Sequence, residues 1–340
     1  MIPTSSKLPF PRRRFYAVAV ALLAAGFYAQ VCWAQEPTEE HVIRSPGTQL
    51  VPIETSVLDK QGDFVGGLTQ NSFRVLDNGV EAPIEFFAPV EAPAEVLILL
   101  ETSPAVYLIH NQHLAAAYAL VDGLAPDDQV ALVTYDQRPE TTLSFTSDKS
   151  ALLAALERTQ YTLGMGDLKL YDSVSAVLDW LVEMTGKREI VLLTTGLDSS
   201  PPSRWESLAQ KLRGQDVVIF CVALGGGLRG DSGRKLKAEK ARQDSESKST
   251  DAFRQADRVL RQLAAMTGGR VYFPQSDQDF APIYREIASA MRHQYVLGIV
   301  PAHDNQFHTL TIEIGHPDAA GVKSTDYRVF ARSGYLAPGP

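Results

Sequence analysis

Val96-Leu97-Ile98-Leu99-Leu100-Glu101-Thr102-Ser103-Pro104-Ala105 is the stretch on which the reading of the fold turns. Five apolar residues in succession, with no polar alternation, describe a strand buried on both faces. A short polar loop follows, and then Leu108 to Leu124 carries helical spacing up to Gly123. The same grammar repeats downstream. Val130–Tyr135 reads as a strand and Lys149–Leu156 as a helix. Tyr171–Met184 is an amphipathic helix stopped by Gly186, and Ile190–Leu193 is a strand. Trp205–Leu212 reads as a helix, Val217–Leu224 as a strand, and Ala256–Thr267 as a helix closed by Gly268-Gly269. Val271–Phe273, a helix over Phe280–Met291 and a strand over Tyr295–Val300 complete the series. Wholly apolar strands alternating with amphipathic helices predict an α/β domain over 93–300, a mainly parallel sheet with helices on both faces. In such sheets ligands sit beyond the carboxyl ends of the strands, so the loops after Leu100, Tyr135, Leu193 and Leu224 are the ones to watch.

On either side the pattern changes to period two. In 48–92, Leu50–Leu58 runs into the turn Asp59-Lys60-Gln61-Gly62-Asp63. Phe73–Leu76 meets the hairpin signal Asp77-Asn78-Gly79, and Ile84–Ala88 follows. In 301–340, His308–Ile314 alternates and Tyr327–Ala331 is a second strand. Neither flank has enough apolar residues for a core of its own. The expectation is one small β-sandwich made by both, with the α/β domain inserted between them.

The first 34 residues have export grammar. Lys7 and Arg12-Arg13-Arg14 precede the apolar run Phe15–Tyr28, and Cys32-Trp33-Ala34 offers small residues for cleavage after Ala34. Fourteen apolar residues are short for a membrane span. The expectation is a signal peptide (1–34), a polar linker (35–47) and a periplasmic or secreted chain with no stable anchor once the signal is removed. Loss of the four basic residues takes the net charge from −8 to −12. That balance lacks the basic footprint of a nucleic-acid binder, so no nucleic-acid partner is expected. With Cys32 gone, Cys221 stands alone in an apolar run, the setting of a core thiol.

Three ordered patterns suggest a family: the strand and loop over 97–105, Leu170-Tyr171-Asp172-Ser173-Val174 after Gly164-Met165-Gly166, and Ile190-Val191-Leu192-Leu193-Thr194-Thr195-Gly196. Together they resemble a von Willebrand factor A domain. The flanks carry Val57-Leu58-Asp59 with Gly62, Thr267-Gly268-Gly269, Tyr272-Phe273-Pro274 and Ala331-Arg332-Ser333-Gly334-Tyr335. They look like bacterial secreted relatives of that domain, the acidobacterial-type family. The resemblance covers about residues 48–337. It implies a Rossmann-like domain with a metal-ion-dependent adhesion site, where Asp-x-Ser-x-Ser, a Thr and a later Asp hold a divalent ion, usually magnesium.

Set against that motif, this chain differs at four of five positions. Glu101 replaces the first Asp, Ser103 matches, Ala105 replaces the second Ser, Leu168 replaces the Thr and Thr195 replaces the distal Asp. Ala105 and Leu168 offer no side-chain oxygen. One negative charge is a weak cage for an ion that dehydrates reluctantly. Asp167 and Asp198 lie nearby and are the candidates for a shifted site; the preferred reading is a degenerate one, with no metal and no other cofactor expected.

Other motifs are weaker. Gly225-Gly226-Gly227-Leu228-Arg229-Gly230 matches a dinucleotide fingerprint but follows a late strand rather than the first. Arg229-Gly230-Asp231 is short enough to arise by chance. Residues 225–257, with eight basic and six acidic residues, read as a charged mobile insertion. His110 and His113 lack the acidic companion of a zinc helix. The sequence thus favours a non-enzymatic, exported protein–protein interaction module, binding an unidentified protein partner without metal through Glu101, Ser103, Thr195 and Asp198 and loop residues near Gly166 and Asp167. An extracytoplasmic hydrolase using carboxylates at the sheet edge and a structural scaffold of an envelope assembly are the alternatives; the oligomeric state stays open.

Overall fold

The computed structural model describes residues 44–45, 48–107, 110–162, 166–182, 189–213, 215, 217–226, 240–314 and 327–339. The export signal over 1–34, nearly all of the linker, Gly164-Met165, Gly186 and Arg229-Gly230-Asp231 lie outside the described residues. Among the described residues no helix is long and apolar enough to cross a membrane.

Strand β7 (Glu95–Glu101) is the buried strand read first in the sequence. It is followed by helices α1 (Pro104–Tyr107) and α2 (His110–Gly123). Then come β8 (Gln129–Tyr135), β9 (Pro139–Thr146), α3 (Lys149–Glu157), α4 (Leu170–Val182), β10 (Glu189–Thr194) and α5 (Pro202–Arg213). The series ends with β11 (Val218–Ala223), α6 (Lys240–Thr267), β12 (Val271–Tyr272) and α7 (Phe280–Arg292). The sheet order is β12-β11-β10-β7-β8-β9, parallel except for the antiparallel edge pair β8–β9. The period-two rule assigns each strand residue to one of two cores. Val96, Ile98, Leu100, Val191, Leu193, Phe220 and Val222 pack with α2, α3 and α7. Leu97, Leu99, Ile190, Leu192, Ile219 and Cys221 pack with α4, α5 and α6. The doubly covered sheet is what an unbroken apolar run requires.

The flanks build a sandwich, as their incomplete cores require. One sheet has the order β15-β3-β13-β6, made of β15 (Arg328–Ala331), β3 (Val51–Leu58), β13 (His293–Ile299) and β6 (Ile84–Glu91). The other is β16-β14-β4-β5, made of β16 (Gly334–Leu336), β14 (Phe307–Ile314), β4 (Phe73–Asp77) and β5 (Val80–Ala82). Val51, Ile53, Val57, Phe73, Val75, Tyr295, Leu297, Ile299 and Leu310 fill the space between them. The two flanks pair with one another in both sheets: β3 pairs with β15, and β4 with β14. A two-residue pair, β1 (Arg44–Ser45) with β2 (Thr48–Gln49), precedes them.

Three local expectations need correction, and one strand shows no sign in the sequence. The α/β domain ends at Arg292 rather than at 300. Helix α7 turns directly into β13, whose Tyr295, Leu297 and Ile299 face the sandwich core. The hairpin partner of β4 is Val80–Ala82, through Asn78 and Gly79, both at positive φ as a tight primed turn requires; Ile84–Glu91 crosses instead to β13. The antiparallel edge strand β9 is too polar, with Glu140, Thr141 and Thr142 exposed, to show an apolar period. Finally, the charged segment is helical from Lys240 onwards. Phe253, Ala256, Val259, Leu260 and Leu263 supply a buried stripe at helical spacing, and propagation from that stripe extends the helix back through polar residues.

The chain enters and leaves the inserted domain at adjacent points, and Asp128 holds them together. Its Oδ1 accepts from the Ala94 N–H (2.8 Å) and from the Arg292 guanidinium (2.5 Å), and its Oδ2 from the Ala125 N–H (2.7 Å). A second tie runs through Glu286 on α7, which takes Arg328 of β15 at 2.8 Å, Arg270 at 3.1 Å and the Tyr272 hydroxyl at 3.1 Å.

Candidate functional site

Three neighbouring strands end in polar residues at the same level. The register places Leu100 of β7 opposite Leu193 of β10, and Glu101 opposite Tyr135 of β8. Adjacent strands lie about 4.8 Å apart. A glutamate at the end of the middle strand therefore reaches hydroxyls on both sides. Glu101 is fully buried. Its Oε1 accepts from Ser103 Oγ at 2.5 Å and from Thr195 Oγ1 at 2.9 Å. Its Oε2 accepts from Thr194 Oγ1 at 2.7 Å and the Thr195 N–H at 2.7 Å, with Thr195 Oγ1 at 3.0 Å. Thr194 Oγ1, having given its proton to Glu101, accepts from the Tyr135 hydroxyl (2.7 Å) and the Gly196 N–H (2.8 Å). Burial first, and then the Glu101 charge, push the Tyr135 hydroxyl well above its ordinary value, so it remains a donor. Donors converge on both oxygens, the arrangement that an ionised carboxylate with acceptors alone requires.

The rim of this carboxylate is built by the loops. The Thr102 N–H and hydroxyl both donate to the Tyr135 carbonyl, at 2.8 and 3.1 Å. The Thr162 N–H donates to the Thr102 carbonyl (2.9 Å), and Thr162 Oγ1 to Asp136 Oδ2 (2.5 Å). Ahead of α4, the Leu168 N–H donates to Ser199 Oγ at 2.9 Å while Ser199 Oγ and N donate to the Leu168 carbonyl at 2.9 and 2.8 Å. The Leu168 side chain packs on the apolar core of α4.

The residues expected from sequence divide accordingly. Glu101, Ser103 and Thr195 come together but are almost entirely buried, consumed by one another. This corrects the expectation that they touch a partner directly: they present no surface in this arrangement. Ala105, in α1, and Leu168 bring no oxygen to the site. Asp198 is turned to the backbone, accepting from the Tyr171 N–H at 3.0 Å and the Ser200 N–H at 2.5 Å, where it caps the first turn of α4. Asp167 is exposed and pairs with Lys169 at 3.2 Å. Among the described residues no three His, Cys, Asp or Glu side chains gather to hold a metal. Cys221 is fully buried and its thiol is pushed up by burial, the condition of an inert core residue. Tyr135 and Thr194 were missed. The signal was available, since each is a hydroxyl closing an otherwise apolar strand, but only the sheet register makes them neighbours of Glu101.

Residues 95–281 match the family model for the von Willebrand factor type A domain. No curated protein matches the sequence. Among solved structures, a von Willebrand factor type A protein from Catenulispora acidiphila is 12% identical with a TM-score of 0.45, over 85% of this chain and 75% of that one. An aerotolerance-related membrane protein from Bacteroides fragilis is 16% identical (TM-score 0.42; 58% of this chain, 100% of that one). BatB from Bacteroides thetaiotaomicron is 18% identical (TM-score 0.40; 58% and 98%).

Proposed function

The chain belongs to the von Willebrand factor type A family, and from that premise we propose that it is an exported protein-interaction module whose sheet edge works without a metal ion. One observation carries the reading: the Glu101 carboxylate is saturated by the chain's own hydroxyl and amide donors. A divalent ion needs oxygen lone pairs free to replace its water. Here those of Glu101 are taken, Ala105 and Leu168 have none to give, and both oxygens of Asp198 accept from the backbone. The residues present do not fit magnesium. In place of an ion, a buried carboxylate and its hydroxyls brace the ends of β7, β8 and β10 from within. Partner contact then falls to the rim around them: Gln137, Gly166, Asp167 and Ser199, which are exposed. Their amide, hydroxyl and carboxylate groups suit a cationic or hydroxyl-rich protein surface better than an acidic one.

Export rests on the basic and apolar pattern over 1–34, and the mature chain is expected to begin near Gln35. N-terminal sequencing of the purified native protein checks this, and retention of Met1 would count against it. Calorimetry tests the site. Magnesium and manganese should produce no binding heat with the mature protein. Micromolar binding that disappears in Glu101→Ala would overturn the reading. The combined replacements Glu101→Asp, Ala105→Ser, Leu168→Thr and Thr195→Asp should create magnesium affinity.

A further inference from the structure

A second cluster of charged groups lies in the sandwich, away from the sheet edge. His308 of β14 has both ring nitrogens against carboxylates: Nδ1 is 2.6 Å from Asp77 Oδ1 and Nε2 is 3.1 Å from Asp304 Oδ2. A neutral imidazole has one N–H and an imidazolium has two. Two carboxylate partners therefore suit only the protonated ring, because a neutral one would turn a lone pair towards one of them.

The partners belong to different parts of the chain. Asp77 ends β4, and Asp304 lies in the loop between β13 and β14. Tyr335 of β16 donates its hydroxyl to Asp77 Oδ2 at 2.8 Å and accepts from the Ala302 N–H at 3.1 Å. Its ring centroid lies 5.4 Å from that of the imidazole. The Ala337 N–H donates to the Gln306 carbonyl at 2.8 Å, tying the same loop to the segment after β16. Among the described residues, other titratable or charged groups with contacts in this loop and strand are His303, exposed in the loop and 3.3 Å from the Gly339 carbonyl, and Arg213 of α5, 5.6 Å over the Phe307 ring. Neither touches His308. The two carboxylates thus dominate the environment of the ring.

We infer that His308 is a proton-operated clasp for the C-terminal strand: as the imidazolium it holds the 302–306 loop and β16 against β4, and on losing its proton it releases them. The contacts with Asp304 and then Asp77 raise the imidazole above its ordinary value of 6.5. His308 and the Gln306 N–H hold the Asp304 carboxyl below its ordinary range. The signs follow from linkage. The imidazole's contribution is complete below its unfolded value and is lost as pH rises through its folded value. The carboxylate's contribution is lost as pH falls through its own folded value. The clasp is closed between those limits and opens on the alkaline side. Opening would bare the edge of β14, where Phe307, His308 and Thr309 pair with β16.

The test follows the imidazole resonances of the mature protein by NMR alongside amide hydrogen exchange at Ala302 and Ala337, corrected for the intrinsic pH dependence of exchange. His308 is expected to titrate above 6.5. Protection at both amides should fall about tenfold or more across the same transition, the loss of one charge-assisted bond. In Asp304→Asn, whose side chain is partly exposed, titration and opening should move together to lower pH. In His308→Gln the pH step should vanish. A native protein with no step, a step that persists in His308→Gln, or one that stays in place in Asp304→Asn would each overturn the clasp. If His308→Gln does not fold, Asp304→Asn alone decides the matter.

Discussion

At Glu101 a carboxylate is fully buried and is stable there because hydroxyl and amide donors meet both of its oxygens. Burying an ionised group is otherwise costly, and an incomplete set of partners would expel it or neutralise it. The same logic makes the position intolerant. Glu101→Ala removes the acceptor shared by Ser103, Thr194 and Thr195 in a water-poor space. A loss of about 3 kcal/mol is expected, within the range for breaking a buried charge network. Glu101→Gln keeps the shape but turns an NH2 group towards hydroxyl and amide donors, so it should recover only part of that loss. Chemical denaturation of the three proteins, read as midpoints at constant slope, checks the order native, Gln, Ala. A Gln variant as stable as the native protein would show that the charge contributes nothing.

Elements meet closely where helix α6 gives way to β12. Gly268 ends the helix at φ +73°, and the Gly269 N–H returns to the Ala264 carbonyl at 3.0 Å, so the left-handed turn closes the last helical carbonyls. This turn lies directly against the end of β15. A Cβ added at Gly268 would fall 2.0 Å from the Ala331 carbonyl oxygen and 2.5 Å from the Arg332 nitrogen. Backbone on both sides leaves no flexible side chain to move away. Gly268→Ala is therefore expected to cost about 3 kcal/mol or more, well beyond the ordinary penalty of about 1 kcal/mol for a left-handed alanine. Its thermal midpoint, set against that of Gly67→Ala, separates the two effects. Gly67 has a similar φ of +78° with open space around it, so it should show the conformational penalty alone.

At the scale of the described residues, one α/β domain is set into a sandwich that neither flank can build alone. Strand β3 lies between β15 and β13, and β4 between β14 and β5, so residues 301–340 supply a neighbouring strand to one in each sheet. Removing them opens the edges of both β3 and β4 and uncovers Ile53, Val57, Phe73 and Val75. A chain ending at 300 is expected to lose the sandwich and aggregate, while the intact chain unfolds in one transition through the ties at Asp128 and Glu286. Calorimetry and light scattering on the two chains check this; a soluble, cooperatively folded truncation would contradict it.

By itself the sequence determined what depends on near neighbours. The unbroken apolar runs of β7, β10 and β11 required a doubly covered sheet. The stripes of α4 and α7 required helices, and Asp77-Asn78-Gly79 required a primed hairpin. Residue types alone also removed the oxygens at 105 and 168. Tertiary structure decided what depends on pairing across long separations. Tyr295–Ile299 is as apolar as a strand of the parallel sheet, and only the shape of the cavity between β3 and β6 assigns it to the sandwich. Glu101 stands 93 residues from Thr194, which stands 59 from Tyr135, and no local pattern announces that they bond. Register brings them together, and register is set by the burial of whole strand faces rather than by any residue in the site.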